Sequence, residues 1–478
     1  MGAPPAGAPQ TTVRLPPAPG DNGSVMTATT SAPGTSIQVQ GAYQGSVPNG
    51  AVIPARLMLS LPDAIRRGVR YNLGVVVSNQ SVRLARAQQL AAAAQLLPDL
   101  TGGVTETVQQ INLAAEGLRF QLPVPGFHFP GVVGPFNYFD ARAAMVENFS
   151  ATGLYNHASS RAGLRSSELS VQNSRELVTL AVAGEYLQII ASSARVATAN
   201  AQVETARAVY QQAADRNRSG ISARIDVTRS QVELQTQQQR LTSLVNDLEK
   251  QKIALARLIG LPLAQEFALS DTIPRRELTP ADLESLILQA VSTRPDVQSA
   301  ESQVKAAELA RRAAVAERFP SLELNSDYGV IGVNPSQSHG TFTVTGGIRF
   351  PIFESGRIRA DVDQADALLA QRRAEYADIK GHVEQDVRTA VLDLTTASQQ
   401  VRVAESNRAL AADTLQQSRD RFRSGVADTV EVVQAQEAVA SAEQDFISAL
   451  FAFNLAQVTL ARATGRTEQG VIGLLQGK

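Results

Sequence analysis

The stretch TFTVTGGIRF, residues 341–350, alternates apolar and polar side chains along most of its length. A strand with this period of two presents one apolar face and one polar face. The preceding stretch LELNSDYGV, residues 322–330, shows the same alternation. Stretches of nine and ten residues match the length with which tilted strands cross a bilayer. We therefore predict a β-hairpin here, with weaker counterparts at Leu100–Ile111 and Ala141–Ser150.

A half-buried strand of a soluble sheet is the alternative interpretation of any single hairpin of this kind. Such a sheet needs a second layer over its apolar face. The other periodic segments read as long helices: between Arg357 and Arg421 there is no proline and only one glycine, Gly381. At 1.5 Å per residue that helix would be roughly 100 Å long. The pattern favours lipid as the cover of the apolar face, while periodicity alone also allows a soluble coiled coil for the helices.

An internal duplication organises the chain. Gly220 and Gly425 lie 205 residues apart, and so do Gly260 and Gly465. Each copy is predicted to contain a helix, a strand pair, a very long helix, a tight turn and a return helix. The predicted divisions are a disordered or extended segment 1–55, a first repeat 56–265, a second repeat 266–465 and a short tail 466–478.

Two helix starts support the duplication. Ser60-Leu61-Pro62-Asp63 has the Ser-x-x-acid spacing of a capped helix, with proline in the first turn. Thr279-Pro280-Ala281-Asp282 repeats that spacing, so we predict that Thr279 caps the corresponding helix of the second repeat.

Composition excludes several classes of protein. The net charge of −1 gives no electrostatic reason to bind nucleic acid. The absence of cysteine excludes disulfides, thiolate metal sites and a lipid anchor on cysteine within this sequence. No run of 18 apolar residues is present, so a membrane-spanning helix is not expected. The first twenty residues do not have the pattern of a signal peptide.

Enzyme chemistry has no support in the sequence. The histidines show no spacing suited to a metal ion or to activation of a nucleophile, and no phosphate-binding or dinucleotide motif is present. We predict neither catalytic residues, nor a metal, nor a cofactor. The four histidines are assigned to a loop, a strand exit, a hairpin and a helix, respectively: His128, His157, His339 and His382.

The order of these features resembles the TolC-like outer-membrane efflux proteins from Leu59 to Gly465. The motifs that carry the resemblance are Pro98 and Pro320 between helix and strand, the strand-to-helix segment Pro351-Ile352-Phe353-Glu354-Ser355-Gly356-Arg357, the turns Arg218-Ser219-Gly220 and Arg423-Ser424-Gly425, and Leu258-Ile259-Gly260-Leu261-Pro262. This sequence departs from the family where an Asn-Pro pair is expected, with Asn72-Leu73 and Arg294-Pro295. The first strand exit, Gly153-Leu154-Tyr155, is also degenerate.

The resemblance implies an α+β membrane protein. Its fold would be a trimeric β-barrel, with four strands per protomer and twelve in total, continued by a long α-helical barrel. Its function would be a passive exit duct in the outer membrane of a Gram-negative bacterium, with the helical part in the periplasm. The implied partners are outer-membrane lipid, a periplasmic adaptor (membrane fusion) protein and an inner-membrane pump of a tripartite efflux or secretion system. A soluble coiled-coil scaffold or a periplasmic adaptor protein is the alternative.

Two sets of site residues follow. The repeated turns offer docking positions for an adaptor at Ser219, Gly220, Ser424 and Gly425, or are simply turns that need glycine. Asp226 and Glu431 occupy matched positions six residues after each turn glycine, and Gln434 lies one helical turn after Glu431. The resemblance places such acids at a periplasmic constriction. Their alternative role is to favour the N-terminal end of the helix dipole on a solvated face.

Overall fold

The computed structural model describes residues 41–113, 115–117, 131–271, 282–424, 426 and 429–467. The helices are α1 Leu61–Tyr71, α2 Leu73–Ala94, α3 Ala151–Arg218, α4 Arg224–Ile259, α5 Leu283–Thr293, α6 Pro295–Ala316, α7 Arg357–Arg423 and α8 Thr429–Ala463. The strands are β1 Leu57–Leu59, β2 Asp99–Asn112, β3 Val132–Phe149, β4 Phe267–Leu269, β5 Ser321–Gly332 and β6 His339–Arg349. Two short 3-10 turns lie at Gly41–Gln44 and Pro335–Gln337.

The described residues form two compact units. Unit 1 is drawn from Met1–Gln80, Ser170–Pro295 and Lys380–Lys478. Unit 2 is drawn from Ser81–Leu169 and Asp296–Ile379. Both units therefore take elements from each of the two predicted repeats.

Helix pairs recur with one spacing. α1 and α5 have 11 residues each, α2 and α6 have 22 each, and both pairs are offset by 222 residues. Ser60 caps α1 as predicted, because its side chain accepts a hydrogen bond from the Asp63 amide. The predicted cap of α5 is wrong: α5 begins at Leu283, and its cap is Asp282, whose side chain accepts from the Ser285 amide. Thr279 itself lies outside the described residues.

The breaks between paired helices fall at Asn72 and Arg294, which both have extended backbone angles. Asn72 is fully buried, and its side chain donates to the Tyr43 carbonyl at 2.8 Å and accepts from the Gly74 amide at 2.9 Å. Arg294 is also buried, and its guanidinium donates to Asp386 at 2.8 Å. Each break is thus stabilised by a side chain that reaches a different part of unit 1.

The described part of the segment predicted to be disordered or extended, residues 41–55, is joined to the rest of unit 1 by backbone hydrogen bonds. The Val47 amide donates to the Tyr71 carbonyl at 2.9 Å, and the Asn49 amide donates to the Gly260 carbonyl at 3.0 Å. Backbone groups paired in this way keep a proline- and glycine-rich segment ordered without helix or sheet. Residues 1–40 and 468–478 lie outside the described residues.

A small parallel sheet of β1 and β4 borders the core of unit 1, with Leu57 opposite Phe267 and Leu59 opposite Leu269. Beside it, the buried Tyr186 hydroxyl donates to the Asp271 carboxylate at 2.7 Å and lies 2.9 Å from the Leu59 carbonyl. Burial and the hydrogen bond to Asp271 raise the pKa of the Tyr186 phenol above its ordinary value. The side chain therefore stays neutral and joins three segments of unit 1 through one hydroxyl.

Unit 2 contains a four-stranded antiparallel sheet in the order β2-β3-β5-β6. All four predicted strands are present. The strand predicted at Ala141 begins earlier, at Val132, because β3 pairs with β2 as far as Asn112. The predicted strand exit at Gly153-Leu154-Tyr155 is wrong, because α3 already begins at Ala151. The Ser150 hydroxyl accepts from the Gly153 amide at 3.1 Å and so caps that helix.

The two faces of this sheet differ in chemistry. One face carries large apolar side chains that no other described residues of unit 2 cover, such as Phe342 with 74% and Leu100 with 73% of their surface exposed. The other members of this exposed apolar face are Val104, Val108, Leu322, Tyr328, Val344 and Ile348. The opposite face carries threonines and charged side chains, among them Glu323, Asp327 and Arg142. An exposed apolar face of this size marks a contact with lipid, with another chain or with another segment.

Two helices contain an apolar 18-residue window that is long enough to cross a membrane by composition alone, Ala151–Arg218 and Val430–Ala463. In α3, 72% of that window is buried inside the protein. The core of unit 1 includes Val178, Val182 and Ile189 of this helix. Packing within the chain therefore accounts for the apolar character of α3.

Candidate functional site

The turn between α3 and α4 ends the first helical hairpin of unit 1. Gly220 has a positive φ of 73°, and its amide donates to the Asn217 carbonyl at 3.0 Å. The Ile221 amide donates to the Arg216 carbonyl at 2.9 Å. This pair of hydrogen bonds is the Schellman motif, which ends helices at a left-handed residue. Ser219 reinforces the end, because its hydroxyl donates to the Asp215 carbonyl at 3.0 Å.

The turn after α7 has the same construction where it is described. The Val426 amide donates to the Arg421 carbonyl at 3.0 Å, and the Ser424 hydroxyl donates to the Asp420 carbonyl at 2.8 Å. Gly425 lies outside the described residues. Ser219, Gly220 and Ser424 are exposed, as docking requires, but their hydrogen bonds equally satisfy the needs of a helix end.

Asp226 lies in the first turn of α4 and is half-buried. Its carbonyl accepts from the buried Ser230 hydroxyl at 2.9 Å. Within the described part of the chain, no cation pairs with its carboxylate. Among the described residues, the N-terminal end of α4 is the partner that favours the charge of Asp226.

Glu431 occupies the matched place in the first turn of α8, but its surroundings differ. Its carboxylate lies 3.3 Å from the Arg421 guanidinium near the end of α7. Gln434, one turn later, is exposed. The structure thus places Glu431 next to Arg421, a cation that the sequence analysis did not identify. The Gln434 side chain lies at the surface and is not part of the packed interior.

The arginine that corresponds to Arg421 in the first repeat is Arg216, 205 residues earlier. Arg216 does not pair with Asp226. Its guanidinium lies 4.6 Å from the ring centre of Phe422, which is buried. A cation stacked on an aromatic ring is held by the ring's negative face. The two repeats therefore place matched arginines in different contacts, and only one of the two acids has its charge compensated.

The model of the family described as Outer membrane efflux protein matches residues 286–466. A pyoverdine export outer membrane protein, OpmQ of Pseudomonas putida, is 26% identical over 402 residues, covering 80% of this chain and 81% of the relative. The cation efflux system protein CusC of Escherichia coli is 28% identical over 227 residues, which cover 46% of this chain and 49% of CusC. The chain is similar to outer membrane efflux proteins over most of its length, and residues 286–466 match the model of that family.

Solved structures agree on the fold of this efflux protein. The outer-membrane channel OprN superimposes on this chain with a TM-score of 0.71 at 20% sequence identity. The match covers 85% of this chain and 89% of the OprN chain. The outer membrane protein VceC of Vibrio cholerae superimposes with a TM-score of 0.70 at 17% sequence identity. That match covers 85% of this chain and 96% of the VceC chain. The family match and these relatives identify the chain as an outer-membrane efflux channel of a Gram-negative bacterium.

Nothing among the described residues of the efflux protein gathers three histidine, aspartate or glutamate side chains into a metal site. His339 begins β6 and His382 lies in α7. His157, predicted at a strand exit, lies within α3, and His128 is outside the described residues. The relatives are efflux channels, which are not enzymes.

A charged cluster on the polar face of the sheet is a feature that sequence reasoning missed. Arg142 of β3 lies 2.8 Å from Asp140 and 2.9 Å from Asp327 of β5. Its neighbours in register are Gly103 and Gly329, which leave room for the guanidinium. Alternation along β3 predicts which face Arg142 occupies, but the pairing with Asp327 depends on strand register.

Proposed function

We propose that three copies of this chain close a twelve-stranded β-barrel through which efflux substrates leave the cell. In the sheet order, β2 and β6 are the outer strands, and neither has a further partner among the described residues. Open strand edges cannot exist in lipid, since their backbone groups would lose water without gaining another partner. Closure must therefore come from other copies of the chain.

The need for an open lumen decides how many copies form the barrel. Two copies give eight strands, and side chains fill the interior of an eight-stranded barrel. Three copies give twelve strands and leave space for passage. Trimeric closure is thus the smallest arrangement compatible with a duct, and the charged face with Arg142, Asp140 and Asp327 would line it.

The observation that carries this proposal is the exposed apolar face of the sheet. A soluble scaffold would have to hide Phe342, Leu100 and their neighbours under a second layer, but unit 2 supplies none among its described residues. Lipid covers such a face at no cost.

We expect the purified protein to require detergent and to have the mass of three chains. The measurement is native mass spectrometry or light scattering corrected for bound detergent. Insertion into a planar bilayer should then give discrete conductance steps. A stable monomer or dimer in detergent, or a protein that stays soluble without detergent, would contradict the barrel and favour the scaffold.

The helical hairpins are proposed to continue the duct into the periplasm and to meet an adaptor protein that an inner-membrane pump requires. The support is the repeated, exposed turn with the same serine and helix-end geometry in both copies. Because the chain has no cysteine, a single cysteine placed there has no competitor.

Crosslinking tests the docking site. Ser219→Cys and Ser424→Cys, each carrying a photoactivatable maleimide, should capture a periplasmic adaptor protein in intact cells. Ser243→Cys, at an exposed position in the middle of α4, is the matched control and should capture none. Equal capture from all three positions, or from the control alone, would refute docking at the turns.

We propose that the pump and the adaptor, and not this chain, select the transported substrate. The relatives are named for the export of pyoverdine, toluene, antibiotics and cations, which share no chemistry. A duct common to such different substrates is best explained if the pump and the adaptor choose the substrate.

A further inference from the structure

A cavity of about 250 Å³ lies within unit 1, between helices α3, α4, α7 and α8. Its polar wall includes two carboxylates, three glutamine amides and two threonine hydroxyls. They belong to Glu233, Glu443, Gln202, Gln237, Gln436, Thr198 and Thr205. Its residues Glu233 and Gln436 lie seven and five positions after the acids Asp226 and Glu431, and the proposed channel function assigns the cavity no role.

Two amides in this wall have unmet hydrogen-bonding capacity. Gln237 is only 6% exposed; its amide nitrogen donates to Glu233 at 2.8 Å, while its oxygen Oε1 is buried with no partner among the described residues. Gln436 has both its amide oxygen and its amide nitrogen buried without a partner in the described chain. Buried polar atoms in native proteins are almost always satisfied, so an occupant must supply donors to the two amide oxygens, while ordered water can accept from the Gln436 amide nitrogen.

The character of the occupant follows from the donors and acceptors present. Amide and carboxylate oxygens outnumber donors in the wall, and no lysine, arginine or histidine lines the cavity. Arg408 is 3.9 Å from Glu443 and lies 4.2 Å from the ring centre of Phe446. The site therefore favours a cation that donates several hydrogen bonds.

The size of the occupant follows from the volume. A space of about 250 Å³ equals roughly eight waters at their share of liquid volume. Ala201, Leu415 and Val439 add an apolar part to the wall. This combination fits a short aliphatic chain with an ammonium group at each end.

We propose that the cavity binds a small organic dication of the aliphatic diamine class. Glu233 and Glu443 accept from its ammonium groups, Gln237 Oε1 receives one further hydrogen bond, and the apolar residues contact its methylenes. Since the wall is drawn from both hairpins, an occupant binds best when α3 and α4 hold their present arrangement against α7 and α8, and it stabilises that arrangement. The site belongs to one protomer and does not rest on the trimer.

Titration calorimetry on the full-length protein in detergent, with 1,4-diaminobutane as the probe, tests the proposal. We expect one diamine per chain, with a dissociation constant below about 1 mM. Gln237→Leu and Glu443→Gln should each weaken binding at least tenfold. Glu249→Gln, an exposed carboxylate on the same helix as Glu233, should leave the affinity unchanged. The neutral 1,4-butanediol should not bind.

A filling variant separates the cavity from surface acids. Ala201 is exposed, so Ala201→Phe should not disturb the core, but its ring should occupy the cavity and abolish binding. No binding of the diamine to the parent protein, or undiminished binding to Ala201→Phe, would overturn the proposal and indicate that water alone fills the cavity. Conductance of the same preparation in a bilayer reports the channel independently, so failure of one proposal is distinguishable from failure of the other.

Discussion

Replacing Gly260 by alanine is expected to lower the free energy of unfolding by about 3 kcal/mol, combining the cost of a left-handed residue with that of an overpacked site. Gly260 has a φ of 72° at the end of α4. An added Cβ would lie 2.7 Å from the Tyr71 Cβ and 3.0 Å from the Val47 carbonyl oxygen. Both neighbours are fixed, since Tyr71 ends α1 and the Val47 amide is bonded to the Tyr71 carbonyl.

Gly220→Ala is the matched control for this prediction. Gly220 has nearly the same φ, 73°, but no atom within 4 Å of an added Cβ. Gly220→Ala should therefore lower the free energy of unfolding by only about 1 kcal/mol, the cost of placing alanine in a left-handed backbone conformation. The measurement is the loss of helical circular dichroism on heating or in denaturant, in one detergent for all variants. Equal destabilisation by both substitutions would show that the contacts of Gly260 with Tyr71 and Val47 do not matter.

The second large effect is expected from Asp226. In the proposed trimer, three copies of each acid face one axis, and three unit charges about 6 Å from an ion in water contribute about 2 kcal/mol. Removing them corresponds to roughly thirtyfold weaker cation binding, which screening at physiological salt reduces to about tenfold. Asp226 has no cationic partner among the described residues, whereas Glu431 lies 3.3 Å from Arg421. Asp226→Asn should therefore weaken block by a monovalent cation about tenfold, and Glu431→Gln less than threefold.

Single-channel recording in planar bilayers measures both effects. Asp247→Asn, at an exposed position on the same helix as Asp226, serves as the control and should not change block. Arg421→Ala should move block in the opposite direction, since it exposes the Glu431 charge. If Asp226→Asn leaves both block and cation selectivity unchanged, these carboxylates do not line a constriction and serve only the helix dipole.

Most of the fold could be predicted because its elements are long and periodic. The alternation at 322–330 and 341–350 places the strands within two residues of the ends of β5 and β6. β1 and β4 were missed because three residues carry no measurable periodicity and their pairing is parallel. The cap of α5 was misplaced because Thr279 and Asp282 both suit an N-cap, and only the offset of 222 from Ser60 separates them.

The candidate site was less predictable, because duplication fixes positions but not contacts. The spacing of 205 residues correctly places Asp226 and Glu431 in the first turns of α4 and α8. Arg216 and Arg421 are also 205 residues apart, but the structure gives them different contacts. The difference arises because the residue after each arginine is Asn217 in one copy and Phe422 in the other. The ring of Phe422 attracts Arg216, while the Asn217 side chain donates to the Ser222 carbonyl at 2.7 Å.

The pairing of β1 with β4 also has a consequence for the order of folding. Leu57 and Phe267 are 210 positions apart, so closing that loop costs about 5 kcal/mol of chain entropy. Two three-residue strands cannot offset such a cost by themselves. The pairing must therefore wait until α1, α3 and α4 have packed and brought its ends together. A chain interrupted before Phe267 would leave the Tyr186 hydroxyl without Asp271, and its first half would remain open to proteases at the outer membrane's periplasmic side.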